Sequence, residues 1–354
     1  MVLGRVPEDL RSFLVERLPL YAESIDRDNR VPEDVLGEIK RLGGFNALSL
    51  GVSGLMEAVR LASMSSPGTA HVLLVHGVSV LLSGGRVGSE GIVAFSMTEP
   101  GGGSDVRANL KTRAVEGPGG FRVSGVKVFT SNAVYASEFL VLAMSDEGPG
   151  LYRVPLGDGV TVEGLDLSGF RGSGVGRVVY RDAWGELIGE AGKGLRVALE
   201  GINIGRLGYA SIALGIAEGS LVHVFNAARS KVVFGSRLLE LQGPRWMMAN
   251  VYRKMLALEA LVREEASRAD ERGYRVDPVV AAAAKTLGAD LAWEASWLAV
   301  QLSGGRGLAR WGLPERFMRD SRVLDIGEGA REIMLDFLAS RLIKGLESRV
   351  GVSG

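Results

Sequence analysis

Two stretches of this chain carry residue types whose spacing could do chemistry. Residues 94–105 read Ala-Phe-Ser-Met-Thr-Glu-Pro-Gly-Gly-Gly-Ser-Asp. An apolar run followed by Gly/Pro punctuation predicts a strand that delivers its end into a tight loop. Three consecutive glycines let the backbone approach a bulky ligand and turn several N–H groups toward one point. Such a concavity suits a phosphate, and Thr98 and Ser104 add hydroxyls that donate or accept. The second stretch, Ile326-Gly-Glu-Gly-Ala-Arg-Glu-Ile333, sets the carboxylate of Glu328 between two glycines. Taken alone, Glu328 reads first as an acidic residue favoured by the N-terminal end of a helix dipole, and it becomes a candidate base only in the company of the other segments.

Other segments could join these. Lys127-Val-Phe-Thr-Ser-Asn132 ends a β-prone run with an aromatic and three small polar residues. Arg206, Lys231, Phe234-Gly235 and Gln242 follow, and then Gln301-Leu-Ser-Gly-Gly-Arg-Gly307 and Arg319-Asp320. Several chemistries are excluded or weakened. The absence of cysteine removes disulfides, thiolate catalysis and iron–sulfur ligation. His71, His76 and His223 form no metal-ligand spacing, so no metal site is expected. Gly172-Ser-Gly-Val-Gly-Arg177 lacks the third glycine of a dinucleotide fingerprint. Gly189-Glu-Ala-Gly-Lys-Gly194 lacks the first glycine and the Ser/Thr of a P-loop. Lys+Arg and Asp+Glu balance at 41 each, which offers no global field for nucleic acid.

The elements that must position these residues fall into three textures along 354 residues. Residues 7–48 place Leu10, Phe13, Leu14, Leu18, then Val35, Leu36, Ile39 and Leu42 at helical spacing, with Pro7 and Pro32 as starts and Gly43-Gly44 as a stop. A helical pair is predicted over 52–64 and 68–83. From about 90 to 183, β-prone runs (92–97, 121–123, 126–129, 139–143, 160–162 and 178–180) recur between Gly-Pro-rich turns such as 146–150. Helical periodicity then returns over 206–230, 244–270, 278–302 and 328–345. The predicted fold class is multidomain α+β. It comprises an N-terminal α-helical domain (1–89), a middle antiparallel β domain or barrel (90–185) and a C-terminal four-helix bundle (186–354). No apolar run of about 18 residues and no signal-peptide core is apparent, so the expectation is a cytoplasmic protein without a membrane span.

These segments, in this order, resemble the acyl-CoA dehydrogenase family from about residue 24 to 345. The resemblance implies an FAD enzyme that dehydrogenates an acyl-CoA thioester between its α and β carbons. Thr98 and the backbone around Phe95–Met97 would meet the flavin ring, with Gly103 and Ser104 beside the pyrophosphate or thioester. Phe129 takes the usual tryptophan position, stacking on the ring, next to Thr130. Ser131 takes that of the threonine hydrogen-bonded to the hydride-accepting nitrogen. Ala330 and Glu332 fall on the cofactor side too. Lys231, Phe234, Gln242 and Gln301, Gly304 and Gly305 correspond to residues that reach the adenosine half from a neighbouring subunit, which implies a homodimer or homotetramer. Glu328 corresponds to the catalytic base of the straight-chain branch, with Arg206 and Gly329 beside it on the substrate side. Burial under the acyl chain would raise its pKa toward neutrality. An electron-transferring flavoprotein would accept the electrons.

The chain also departs from the family pattern. Lys231 stands for an arginine, Ala330 for a threonine and Asn203 for a frequent aspartate. Gly327 replaces a tyrosine beside the base, which would widen the acyl pocket or loosen its loop. Gly205 lies where branched-chain relatives carry an alternative glutamate, leaving Glu328 without a rival. Glu99 is expected to be a structural hydrogen-bonder. The stretch between Gly51 and Ile92 is short for the family. Two other readings follow from these departures: a flavoprotein of this fold oxidising a non-standard substrate, and a non-catalytic relative acting as a binding or assembly subunit.

Overall fold

The computed structural model describes residues 6–350. Its first layer is helical: α1 (Glu8–Ser12), α2 (Ala22–Asp28), α3 (Glu33–Arg41), α4 (Ala47–Ser63) and α5 (Pro67–Ser83). Pro7 and Pro32 immediately precede α1 and α3, and Gly43, at φ 84°, follows the end of α3. Ser66 and Pro67 start α5, the Ser66 hydroxyl accepting from the Thr69 N–H. Inside α4 the backbone breaks at Gly51 (φ 63°, ψ −172°). The amides just beyond, Val52 and Ser53, donate to the Asp270 carboxylate at 2.7 and 3.2 Å, which caps the second half of the helix.

The middle layer runs β1 (Ile92–Ser96), a short α6 (Val106–Asn109), β2 (Arg113–Gly117), β3 (Gly120–Thr130), β4 (Ala136–Ser145), β5 (Gly148–Pro155), β6 (Val160–Gly164) and β7 (Gly176–Ile188). Strands β4, β2, β3, β7 and β5 pair in a closed ring, with β1 added on β4 and β6 on β7. The expected barrel is therefore present, but its pairing is mixed. β1 runs parallel to β4, and β2 also meets β4 in parallel. A connection through α6 and the β2–β3 hairpin brings the chain back to β1 in the same sense, and strand periodicity carries no information on direction. Two strands lie where none was predicted. β2 is short and carries charge, and β5 begins at Gly148 inside the segment read as a turn, which is confined to Asp146 and Glu147.

The C-terminal part comprises α7 (Gly194–Ala228), a two-strand hairpin β8 (Val232–Val233) and β9 (Ser236–Arg237), α8 (Gln242–Glu271), α9 (Pro278–Ser303), α10 (Leu313–Ile326) and α11 (Arg331–Val350). The four predicted long helices are α7, α8, α9 and α11. α10 is additional, and α11 starts three residues after Glu328 rather than at it. α7 is long and apolar enough to cross a membrane, yet 78% of its most apolar window is buried inside the fold. One core explains that burial: Leu55, Val59, Leu73 and Leu74 of the first layer pack with Leu207, Ile212 and Ile216 of α7 and with Leu291, Ala295 and Leu298 of α9. The barrel has its own interior around Phe139, Tyr152 and Tyr180. A third cluster, including Val93, Leu140 and Ala198, cements barrel to helices.

Candidate active site

A cavity of about 650 Å³ opens where the three layers meet. Its walls come from α5, the end of β1 with the 97–107 loop, the end of β3, one face of α7, and the 326–330 loop with the start of α11.

The loop after β1 owes its shape to a buried ion pair. Glu99 accepts from the Lys111 and Thr112 amides at 2.9 and 3.0 Å and from Lys127 Nζ at 2.9 Å. Lys127, fully buried on β3, also donates to the Met97 carbonyl at 3.0 Å. Burial pulls its pKa down to about 8, opposed by Glu99. The Thr98 carbonyl accepts from the Val128 amide at 2.9 Å, so β1 and β3 present their ends together. Glu99 is thus the structural hydrogen-bonder expected of it. Exposed Gly101–Gly103 and Ser104 follow, and Asp105 caps α6 through the Ala108 amide at 3.1 Å.

At the end of β3 the pairing with β7 slips between Lys127 and Thr130. Phe129 takes φ 53° and Asn132 φ 66°, both unusual for residues with a Cβ. The slip leaves the Phe129 ring 60% exposed on the cavity wall, with Val128 and Ser131 on the same wall. Asn132 Nδ2 donates to the Val72 and Val93 carbonyls at 3.1 and 3.0 Å, tying this turn to α5 and β1.

Opposite lies Glu328, at φ 56° between Gly327 and Gly329. Arg206 Nε donates to its carbonyl at 3.0 Å, while Arg206 Nη1 donates to Asn203 at 2.9 Å. Burial pushes the Glu328 carboxyl up to about 7, opposed by the charges of Arg206 and Lys285. The carboxyl has room because residue 205 is glycine: a Cβ there would stand 2.7 Å from the Glu328 carboxyl carbon. Gly327 does not widen the site. Tyr209, one turn beyond Gly205 on α7, fills the space, its hydroxyl 2.2 Å from where a Cβ on residue 327 would lie. The tyrosine beside the base has in effect come from another helix. Its hydroxyl faces His71 Nε2 at 3.4 Å, and its ring and that of His71 pack on Phe170. Burial pulls His71 down to about 4, so it is neutral near pH 7.

Of the residues singled out from sequence, Phe95, Met97, Thr98, Gly103, Ser104, Phe129, Ser131, Arg206, Glu328, Gly329 and Ala330 line this one cavity. Thr130 does not: it points into the barrel, its hydroxyl 3.4 Å from Ser96, because the slip at Phe129 reverses the alternation. Glu332 is exposed on the first turn of α11. Lys231, Phe234, Gln242, Gln301, Gly304 and Gly305 lie outside the cavity. There Lys231 Nζ donates to the Leu302 carbonyl at 3.1 Å and would meet a Cβ on Gly304, and the Phe234 ring at the hairpin tip is fully exposed. The sequence reading missed His71, Tyr209 and Lys285. Gly201, Gly205 and Tyr209 recur every four residues, a stripe that marks one face of α7. Lys285 is a lone cation in an alanine-rich run. His76 has a structural place, with Nε2–H on the Phe45 carbonyl at 3.0 Å and Nδ1 accepting from the Val93 amide at 3.2 Å. Among the described residues no group of His, Asp and Glu could hold a metal ion.

Known proteins share this fold. The model of the acyl-CoA dehydrogenase middle domain matches residues 94–183, and that of the C-terminal domain matches 192–343. The human mitochondrial short-chain specific acyl-CoA dehydrogenase is 27% identical over 378 aligned positions, which cover 96% of this chain and 89% of the relative. The structure of butyryl-CoA dehydrogenase from Megasphaera elsdenii superposes with a TM-score of 0.88 at 25% identity, covering 97% of this chain and 99% of that one. A glutaryl-CoA dehydrogenase from Mycobacterium smegmatis, solved in complex with FADH2, has the same fold (TM-score 0.85, 22% identity, 95% and 93% covered). The two domain models together span most of the chain and take in both walls of the cavity: the chain belongs to the acyl-CoA dehydrogenase family.

Proposed function

We propose that this protein is an FAD-dependent acyl-CoA dehydrogenase in which Glu328 removes the α-proton of a short acyl-CoA thioester. The observation that carries the reading is the Glu328 carboxyl, near neutral pKa, on one wall of a cavity whose other wall is the β1–β3 end. The residues present fit FAD. An aromatic face, Phe129, is held exposed by a left-handed backbone, the hydroxyls of Thr98 and Ser131 share its wall, and exposed Gly101–Gly103 allow close approach of a phosphate. FAD, when bound, supplies the acceptor for the β-hydride.

The chain's own part is positional and electrostatic. A thioester α-proton is weakly acidic, so the base must sit within hydrogen-bond reach and have a pKa near working pH. The C–H electron pair stays on substrate, and the proton passes to a Glu328 carboxylate oxygen. Gly205 leaves room for that oxygen, and Arg206 fixes the Glu328 peptide. Leu74, Val75, Val78, Leu195, Leu199 and Ile202 give the cavity apolar walls that receive the acyl chain and exclude water. The Glu99–Lys127 pair holds the opposite wall. The exposed cluster of Lys231, Phe234, Gln242, Gln301, Gly304 and Gly305 completes the FAD site of a second copy in a homodimer or homotetramer, and an electron-transferring flavoprotein takes the electrons.

The test is anaerobic titration of the purified, FAD-loaded protein with butyryl-CoA. Bleaching of the flavin band is expected, slowed by about two to four orders of magnitude in Glu328→Gln. A flavin that no acyl-CoA bleaches, or bleaching intact in Glu328→Gln, overturns the assignment.

A further inference from the structure

Lys285 is buried to 1% exposure in the alanine-rich first half of α9. An ammonium group in such a place is costly unless its protons are well used. Its hydrogen bonds run to two carbonyl oxygens, Gly329 at 2.6 Å and Asp325 at 3.1 Å. These carbonyls bracket the segment that carries Glu328. One ammonium therefore staples both ends of a loop in which Glu328 (φ 56°) and Gly329 (φ 104°) are left-handed. A residue with a Cβ stays in that region only where its surroundings over-determine it. Arg206 holds the same loop from the α7 side.

The charges around Glu328 make Lys285 more than a staple. From α7 come Arg206, whose side-chain partner is the neutral Asn203, and Tyr209, whose phenol stays protonated because burial raises its pKa. From α5 comes His71, neutral near pH 7. On α10, Asp325 is taken up by Arg322 and Arg331, each at 2.7 Å. Arg331 of α11 is shared further with Asp290. The positive charges left to act on Glu328 are those of Arg206 and Lys285. Burial lowers Lys285 itself to about 8, which leaves it charged at neutral pH.

We propose that Lys285 is a positioning residue of the reaction: it holds the Asp325–Gly329 loop in the conformation that presents Glu328, and its charge favours the ionised carboxylate. This rests on Glu328 being the base.

The test compares Lys285→Gln, which keeps an N–H donor and drops the charge, with Lys285→Arg, which keeps the charge. The rate of flavin reduction by butyryl-CoA is followed anaerobically in the FAD-loaded protein between pH 5.5 and 9. The wild-type rate rises through about pH 7. In Lys285→Gln the midpoint moves up by about one unit, a roughly tenfold lower rate on the acid side, while the high-pH plateau stays within about threefold. Lys285→Arg keeps the wild-type midpoint. Should the glutamine variant fail to load FAD, Lys285→Met takes its place: without either hydrogen bond its plateau falls too, and the upward move of the midpoint by about one unit is the readout. A midpoint unmoved in the uncharged variant, a loss by one factor at every pH, or an equal shift in Lys285→Arg overturns the proposal. Glu328→Gln is run beside them. If it abolishes reduction while the Lys285 midpoint stays put, only the Lys285 proposal fails. If it leaves reduction intact, the base assignment fails first and takes this one with it.

Discussion

A base with a raised pKa should cost the protein stability, and Glu328→Gln measures that cost. The Glu328 carboxyl titrates near 7 in the folded chain against an ordinary value of 4.5. Between those values the unfolded chain has released the proton and the folded chain has kept it. Fewer protons are bound in the unfolded state, so stability falls as pH rises through this window. The loss is complete above about pH 7 and absent below about pH 4.5. At about 1.36 kcal/mol per unit, the shift corresponds to at most about 3 kcal/mol. Glutamine has the same shape and no ionised form, so Glu328→Gln should lie within about 1 kcal/mol of the wild type at pH 5 and be more stable by about 3 kcal/mol at pH 8. With an unfolding entropy of about 2.1 cal/mol/K per residue over this chain, that is about 4 °C in Tm. Scanning calorimetry of both proteins at pH 5 and pH 8, with FAD in equal excess, gives the double difference. Other titrating groups are common to both proteins and cancel. A Tm difference that is the same at both pH values would refute the claim that burial poises this carboxyl near neutrality.

Four further outcomes follow from the geometry. Gly205→Ala places a Cβ 2.7 Å from the Glu328 carboxyl carbon, so the base must shift by about 1 Å, and flavin reduction should fall by about 10²-fold with the far-ultraviolet circular dichroism unchanged. Gly327→Ala should cost about 1–3 kcal/mol by overpacking against the Tyr209 hydroxyl, and Tyr209→Val should recover most of it in a double-mutant cycle of denaturant melts. Lys127→Met strands the buried Glu99 carboxylate and should cost about 3–5 kcal/mol in the same melts, far more than an exposed lysine would. Phe234→Ala, at a fully exposed ring, should leave monomer stability unchanged yet weaken FAD retention and subunit association in gel filtration.

What the sequence made legible divides along physical lines. The boundaries of α3 and α5 were visible because proline, serine and glycine act locally, through one φ or one cap. The parallel pairing of β1 with β4 was not, because a period of two is the same in either direction. Strand β5 was hidden since Gly148, Pro149 and Gly150 read as a turn, while its register is set by β4 and β7 on either side. α10 carries charge on many positions, and its helix is held by tertiary pairs such as Arg319 with Asp26, remote in sequence. At the site, the order of segments was enough to bring Thr98, Ser131, Arg206 and Glu328 to one cavity. Thr130 went astray because a left-handed Phe129 breaks alternation, and no residue type announces that conformation in a strand.

Gly327 teaches the most about such readings. A glycine in place of a large side chain predicts empty space only if nothing else moves in, and packed interiors do not keep voids of that size. Here the volume at residue 327 is claimed by Tyr209, more than a hundred residues earlier in the chain, and a Cβ at 327 would have to displace its hydroxyl. Gly205 is the complementary case, since its missing Cβ is space taken by the Glu328 carboxyl. One helix face thus settles both neighbours of the base: four residues apart on α7, a glycine admits the carboxyl and a tyrosine closes the gap beside it. The spacing i, i+4 puts both on the stripe that meets the 326–330 loop. Substitutions at 205, 209 and 327 must therefore be coupled. A change at any one of them should be read as a change in the position of Glu328 before it is read as a change in pocket size.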